Sequence, residues 1–407
     1  MIWKIIKGLL AILLISAIAL FALPWLNPVS ERFGNSDRRD YLAANLVALD
    51  ENDLSSGLAL APDDYAARYV LLGEMHGFAV PQRADLALVR HLQEKGPARW
   101  YLGEVTPEEA IAINTYISGG DDAAVRAVFE RFADMPVQWA NREFFEKLTG
   151  LRALNAGLPA ERQVRFIDID ASRTAPLGVP LDTPAADTAP DLASFARADA
   201  INALLAAKSA EPGSETRYAA MQRNMGILAG LPGFAEARFM GLWGTFHASE
   251  APINGEKTLS MWLQDSDAPY AGDVVTINFV CTSECYNMMP KAALPEPMHG
   301  SAEAEFTALP MHLDNPYVQR LKGVDDLSAT MRDTGMEVAL LPVSESSPYR
   351  GDSRMLTGYS GYLPLIQPWE VEGSASEMTD YFLVARSSAA LTPWRGKLYD
   401  VESGEER

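Results

Sequence analysis

Four short apolar runs, each stopping at an acid or a histidine, constrain this chain more than any other feature. Tyr69-Val70-Leu71-Leu72 leads into Gly73-Glu74-Met75-His76-Gly77, and Arg99-Trp100-Tyr101-Leu102 leads into Gly103-Glu104. Val164-Arg165-Phe166-Ile167-Asp168-Ile169 leads into Asp170, and Arg238-Phe239-Met240-Gly241-Leu242-Trp243 leads into Gly244-Thr245-Phe246-His247. Runs of this kind suit strands covered on both faces. Gly73 and Gly77 let the backbone turn tightly around Glu74 and His76. Between the first two runs lies a helical pattern starting near Pro81, with Leu88, Val89 and Leu92 on one face and Gly96-Pro97 as its stop. Strand-helix-strand units build parallel sheets with right-handed crossovers, so their carboxyl ends share one edge. Glu74, His76, Glu104, Asp170 and His247 are therefore expected to meet in one crevice. The competing reading, that each merely caps the next helix, suits any one of them better than all five.

Local patterns support that placement. Thr106-Pro107-Glu108-Glu109 has the form of a capping box, with Thr106 as N-cap, Pro107 at the first helical position and Glu109 reaching back. A helix is thus expected just beyond Glu104, with Ile111, Ile113 and Ile117 helping to bury it and its positive end facing the crevice. Ser214 reads as the N-cap of another helix, placing Arg217, Met221 and Asn224 on one face with Arg223 beside them. That face can bind a carboxylate or substrate, or be an ordinary solvated surface. Glu74, two residues before His76, can orient the imidazole or share a metal with it.

The rest of the chain supplies the setting. With 407 residues, 48% of them hydrophobic, a large core can form, and the chain reads as one enzyme-sized unit. A formal charge of -20 disfavours nucleic acid and anionic membrane surfaces as partners. At the amino terminus, Lys4 and Lys7 precede an uncharged stretch from Gly8 to Leu26. As a helix it would reach about 28 Å at roughly 1.5 Å per residue, nearly a bilayer core. The expectation is an uncleaved anchor within residues 1–27, with 5–26 in the inner membrane and the bulk of the chain periplasmic or extracellular; a cleaved signal peptide is the competitor. Residues 28–64 read as a linker with a short helix, and 65–407 as a single α/β domain. Within it, 174–194, rich in Pro, Ala and Asp, reads as a surface insertion, and 287–316 as a long loop able to cover the crevice.

Cys281 and Cys285 follow the strand-like Val274 to Val280 and can close a small disulfide loop in an oxidising compartment, or remain thiols. Met288, Met289, Met298, His299, Met311 and His312 offer soft ligands, but in an irregular stretch such residues ordinarily pack. The chain lacks a Gly-x-Ser-x-Gly elbow, a His-Glu-x-x-His helix, a P-loop and a dinucleotide-binding glycine pattern. Histidine with carboxylates remains. Of the 5 histidines, His76 and His247 end expected strands, His91 falls in a helix, and His299 and His312 lie in the long loop.

Taken in order, Leu71 to Gly77, Leu102-Gly103-Glu104, Phe166 to Asp170, Arg217-x-x-x-Met221-x-Arg223-Asn224 and Leu242 to His247 resemble the erythromycin esterase family. That family belongs to a wider group with ChaN-like haem-binding lipoproteins and TraB/Tiki-type proteins. The strand Tyr381 to Arg386 is similar to the family's carboxyl-terminal strand. The resemblance implies an α/β fold with a central, largely parallel sheet and flanking helices, here preceded by a transmembrane helix. It also implies hydrolysis of an ester or amide in a small-molecule substrate by water that His76 activates. Glu74 would orient His76, Glu104 and His247 would complete the crevice, and Asp170, Arg217, Asn224 and Arg83 would bind or position substrate. Where the family often has a Glu shortly after its first His, this chain has Phe78 to Gln82 before Arg83. No cofactor is required in this reading. Resemblance to the Tiki type implies instead a divalent metal held by His76, His247, Glu74 and Glu104, and resemblance to ChaN implies haem on His76 or His247 without turnover.

Overall fold

The computed structural model describes residues 35–406, apart from 52, 96–98, 136, 171–188, 210–214, 254, 312–322, 344–346 and 349–374. The apolar segment 1–27, Ser214, His312 and most of the 174–194 insertion lie outside these residues. Among the described residues no helix is long and apolar enough to cross a membrane.

The sheet is built as the apolar runs predict. Strands β1 (Val47–Leu49), β2 (Tyr69–Glu74), β3 (Trp100–Tyr101), β4 (Phe239–Gly244), β5 (Val274–Pro290), β6 (Phe306–Pro310), β7 (Val338–Pro342) and β8 (Tyr381–Ser388) form its body. Its order is β1-β7-β8-β5-β2-β4-β3. From β8 to β3 all pairings are parallel; β7 and β1 add antiparallel strands at the other side. β2 sits between β4 and β5 and is buried along its whole length. Its side chains alternate: Val70 and Leu72 join one hydrophobic cluster, Tyr69 and Leu71 the other.

Helices cover both faces. On the Val70 side lie α2 (Ala79–Lys95), α3 (Pro107–Ile117), α4 (Ala123–Asp134) and α5 (Arg142–Ala156); on the Tyr69 side lie α6 (Ala198–Lys208) and α7 (Arg217–Ala229). An earlier helix, α1 (Ser36–Asn45), is N-capped by Asn35 and buries Leu42 against Leu327, Met331 and Phe382. The stretch expected as a linker with a short helix contains such a helix, α1, and adds edge strand β1 to the sheet, because Leu42 and Leu49 have core to bury against.

Two other expectations change. Val164 to Ile169 does not form a strand; it makes one parallel bridge, Tyr101 with Phe166. Asparagine side chains replace the ladder. Asn155 accepts from Val164 N at 2.7 Å, Asn114 from Phe166 N at 2.8 Å and Asn202 from Asp168 N at 3.1 Å. The segment expected as a long loop from 287 begins instead as the end of β5, which pairs antiparallel with β6. Alternation explains it: Met288 is turned inward and packs with Phe306, Ala308, Leu391 and Leu398 in a satellite core. Where β5 leaves the main sheet its register shifts between Cys281 and Glu284, and a Cys281–Cys285 disulfide spans the irregularity.

Candidate active site

The crevice lies at the carboxyl ends of the parallel strands. Glu74 and Gly244 are register partners at the ends of β2 and β4, which brings His76 and His247 to neighbouring positions. Glu104 follows β3, and Asp170 follows the bridged segment beside it. Thr106 caps α3 just beyond, with Glu109 completing the capping box and Pro107 in the first turn. Three glycines allow close approach. A Cβ at Gly73 would lie 1.9 Å from Asn278 Oδ1, and one at Gly244 would lie 3.0 Å from His76 Nε2. Gly77 turns the chain after His76 with φ of 102°.

His76 Nδ1 and Glu74 Oε1 are 2.9 Å apart. A carboxylate only accepts, so Nδ1 carries the proton and neutral His76 presents the Nε2 lone pair to the crevice. That nitrogen is 3.8 Å from Glu104 Oε2, beyond a direct hydrogen bond. Burial opposes charging His76, but the Glu74 hydrogen bond and the charges of Glu104 and Glu74 outweigh it and raise its pKa above the ordinary value.

Arg217, the first residue of α7, is the cation of the site, and Thr216 rather than Ser214 is the N-cap that sets it there. Its Nε donates to Asp170 Oδ1 at 2.7 Å, and Nη2 donates to Asp170 Oδ2 at 2.8 Å and to Glu104 Oε1 at 2.6 Å. Nη1 lies 3.2 Å from His247 Nε2. A guanidinium only donates, so His247 Nε2 accepts and its neutral ring is protonated at Nδ1. Burial, against a weaker pull from Glu104, pushes His247 down to about 4. Burial alone would raise Glu104, but His76, His247 and Arg217 hold it well below the usual carboxylate range. Asp168, by contrast, is driven well above that range by burial and by the charge of Asp170; it accepts from Gly103 N and Ile169 N, both at 3.0 Å.

Six of the expected residues thus gather in one site: Glu74, His76, Glu104, Asp170, Arg217 and His247. Two do not. Arg83 is exposed on α2, because the helix turns the preceding residue, Gln82, inward; Gln82 Nε2 donates to Glu74 Oε2 at 3.2 Å. Asn224 is buried and donates to Ile169 O at 2.9 Å, so it fixes the backbone leading to Asp170 instead of facing a ligand. Sequence reading missed Gln82, Gln138, Trp139 and Asn287. Gln138 and Asn287 both donate to the His76 carbonyl, and the Trp139 ring lies 4.8 Å from the imidazole at 54°. No periodic signal marks them, since Gln138 and Trp139 lie in the connection between α4 and α5. Beside them a cleft of about 430 Å3, its open part included, is lined by Glu104, Phe132, Met135, Val137, Trp139 and Asp170.

The donors do not fit a metal. Among the described residues no three His, Cys, Asp or Glu side chains are arranged to hold one ion. The position a cation would take between Glu104 and Asp170 belongs to Arg217. Nor does His247 fit as a haem ligand, being 7% exposed with Nε2 turned to Arg217.

No family model and no curated protein matches the sequence. Solved structures do match the fold. One is a protein from Bacillus cereus, with TM-score 0.55 and 12% identity over 88% of this chain and 98% of that one. Another, a succinoglycan biosynthesis protein, gives 0.52 and 13% over 88% and 99%. A mutant of erythromycin esterase EreC in its open conformation gives 0.50 and 14% over 86% and 99%. At these identities the likeness is one of fold: this chain has the mixed α/β architecture, a large sheet with flanking helices, of the erythromycin esterase fold group.

Proposed function

We propose that this protein is a hydrolase that cleaves an ester or amide with water activated by His76. The observation that carries the reading is the Glu74–His76 pair, which leaves Nε2 free beside Glu104 and Arg217. A water in contact with Nε2 gives it a proton as its oxygen attacks the substrate carbonyl carbon. Arg217 Nη1 donates to the oxyanion that forms, in an environment where such a bond is strong. Collapse of the intermediate expels the alcohol or amine, which takes the proton back from His76. Glu74 holds the ring and its tautomer, Glu104 and Asp170 hold Arg217, and His247 steadies the guanidinium from its other side. A panel of activated esters tests this reading. Turnover that survives His76→Ala would overturn it, as would a Soret band in the purified protein with no turnover.

The same proposal puts the catalytic domain outside the inner membrane, held by residues 5–26. Its support is the apolar stretch from Gly8 to Leu26 and the Cys281–Cys285 disulfide, which suits an oxidising compartment. Recovery of the full chain in carbonate-washed membranes, digestible by protease added to spheroplasts, is the expected result; a soluble, protected chain would refute the placement.

A further inference from the structure

Beside Glu74 lies a buried polar set that the hydrolytic steps do not use. Lys147 Nζ is 2.9 Å from Asp85 Oδ2 and 3.3 Å from the Tyr101 hydroxyl, which itself donates to Asp85. Lys147 and Asp85 side chains are 3% and 2% exposed. An ammonium has three protons, and these two contacts use two of them. A cavity of about 330 Å3, its open part included, joins this set to the site, lined by Lys147, Tyr101, Gln82, Glu74, Glu104 and Trp139. That is enough for one water.

Gln82 lines the same cavity. Its Nε2 donates to Glu74 Oε2, which fixes the amide and leaves Oε1 buried without a protein partner. The lining therefore holds an ammonium proton that no protein oxygen or nitrogen accepts, with the Phe144 ring centre 4.6 Å from Nζ, and an acceptor that no protein donor meets.

We propose that one long-lived water bridges Lys147 Nζ to Gln82 Oε1, and that Lys147 and Gln82 are thereby positioning residues for the Glu74–His76 pair. The water locks the Gln82 amide, the locked amide holds Glu74, and Glu74 holds the imidazole in the tautomer that leaves Nε2 basic. This rests on His76 being the base, but its test does not need turnover.

In the full-length protein, the Nδ1 proton of His76 is read by NMR as a downfield resonance, assigned by its loss in His76→Ala. A water contact is read at the Gln82 side-chain amide. The expected result is a long-lived water contact in the wild type, and a displaced His76 resonance in both Gln82→Met and Lys147→Met. With an ester substrate, Gln82→Met should lower kcat about tenfold with KM unchanged, as loss of a supporting hydrogen bond does. Should Lys147→Met fail to fold, the water contact at the wild-type Gln82 amide decides, since Gln82→Met also removes the direct bond to Glu74. A wild type without the water contact, or a Gln82→Met variant with the His76 resonance unmoved, overturns the inference while leaving the hydrolase reading intact. A water contact and displaced resonances in a protein that hydrolyses nothing would support the bridge and sink the hydrolase reading alone.

Discussion

The two histidines of the crevice occupy equivalent positions and behave oppositely. Both follow the ends of adjacent parallel strands, and both lie within 4 Å of Glu104, at 3.8 Å for His76 and 3.6 Å for His247. His76 has a carboxylate on its far nitrogen and is 26% exposed, and its pKa is raised. His247 faces a guanidinium, is 7% exposed and is pushed down to about 4. Burial opposes charge on both rings; at His76 the Glu74 and Glu104 contacts overcome it, and at His247 the Arg217 guanidinium adds to it.

The sharpest way to break this contrast is to remove each ring. His76→Ala should lower turnover by about 10²–10⁴-fold, the range for a general base, whereas His247→Ala should cost far less. Equal losses in steady-state rates would end the distinction. Arg217→Met comes next: turnover should drop about 10²–10³-fold with the oxyanion donor gone. The same variant should lose about 3 kcal/mol or more in denaturant unfolding, because Glu104 and Asp170 stay buried after losing the Arg217 charge.

Titration separates the rings by sign. As the base, His76 must be neutral, so activity should rise as pH climbs through its raised pKa; the stability its imidazolium adds, full below about 6.5, should fade over that same rise. His247 works the other way. Its neutral form is favoured by the fold, so its contribution is full above about 6.5 and should be lost as pH falls toward 4, by about 3 kcal/mol at most. Unfolding curves of wild type and His247→Gln across that window would reveal it, and parallel curves would refute it. The smallest effect is expected at the edge of the crevice. Thr106→Ala removes the cap of α3 and should cost about 1 kcal/mol in thermal unfolding with little change in turnover.

Much of this site was legible in one dimension. Apolar runs gave β2, β3 and β4, and because parallel strands end on one edge, their terminal residues Glu74, Glu104 and His247 had to converge. The Thr106 capping box was readable because all its contacts lie within one turn. Arg217 was found by its position on a helix, although the cap proved to be Thr216 and the helix face sends Asn224 to a backbone carbonyl. Arg83 was misplaced by one residue: at 3.6 residues per turn, adjacent positions point about 100° apart, and Gln82 took the inward one.

Sequence by itself determined the class of fold and the carboxyl-end address of the polar residues, since both follow from short-range periodicity and the handedness of crossovers. Only the tertiary structure decided their chemistry. Which carboxylate orients His76, which cation faces buried His247, and that Gln138, Trp139 and Asn287 brace the first motif depend on contacts between segments up to 211 residues apart. Such contacts leave no periodic trace in the chain, because they are set by packing rather than by spacing.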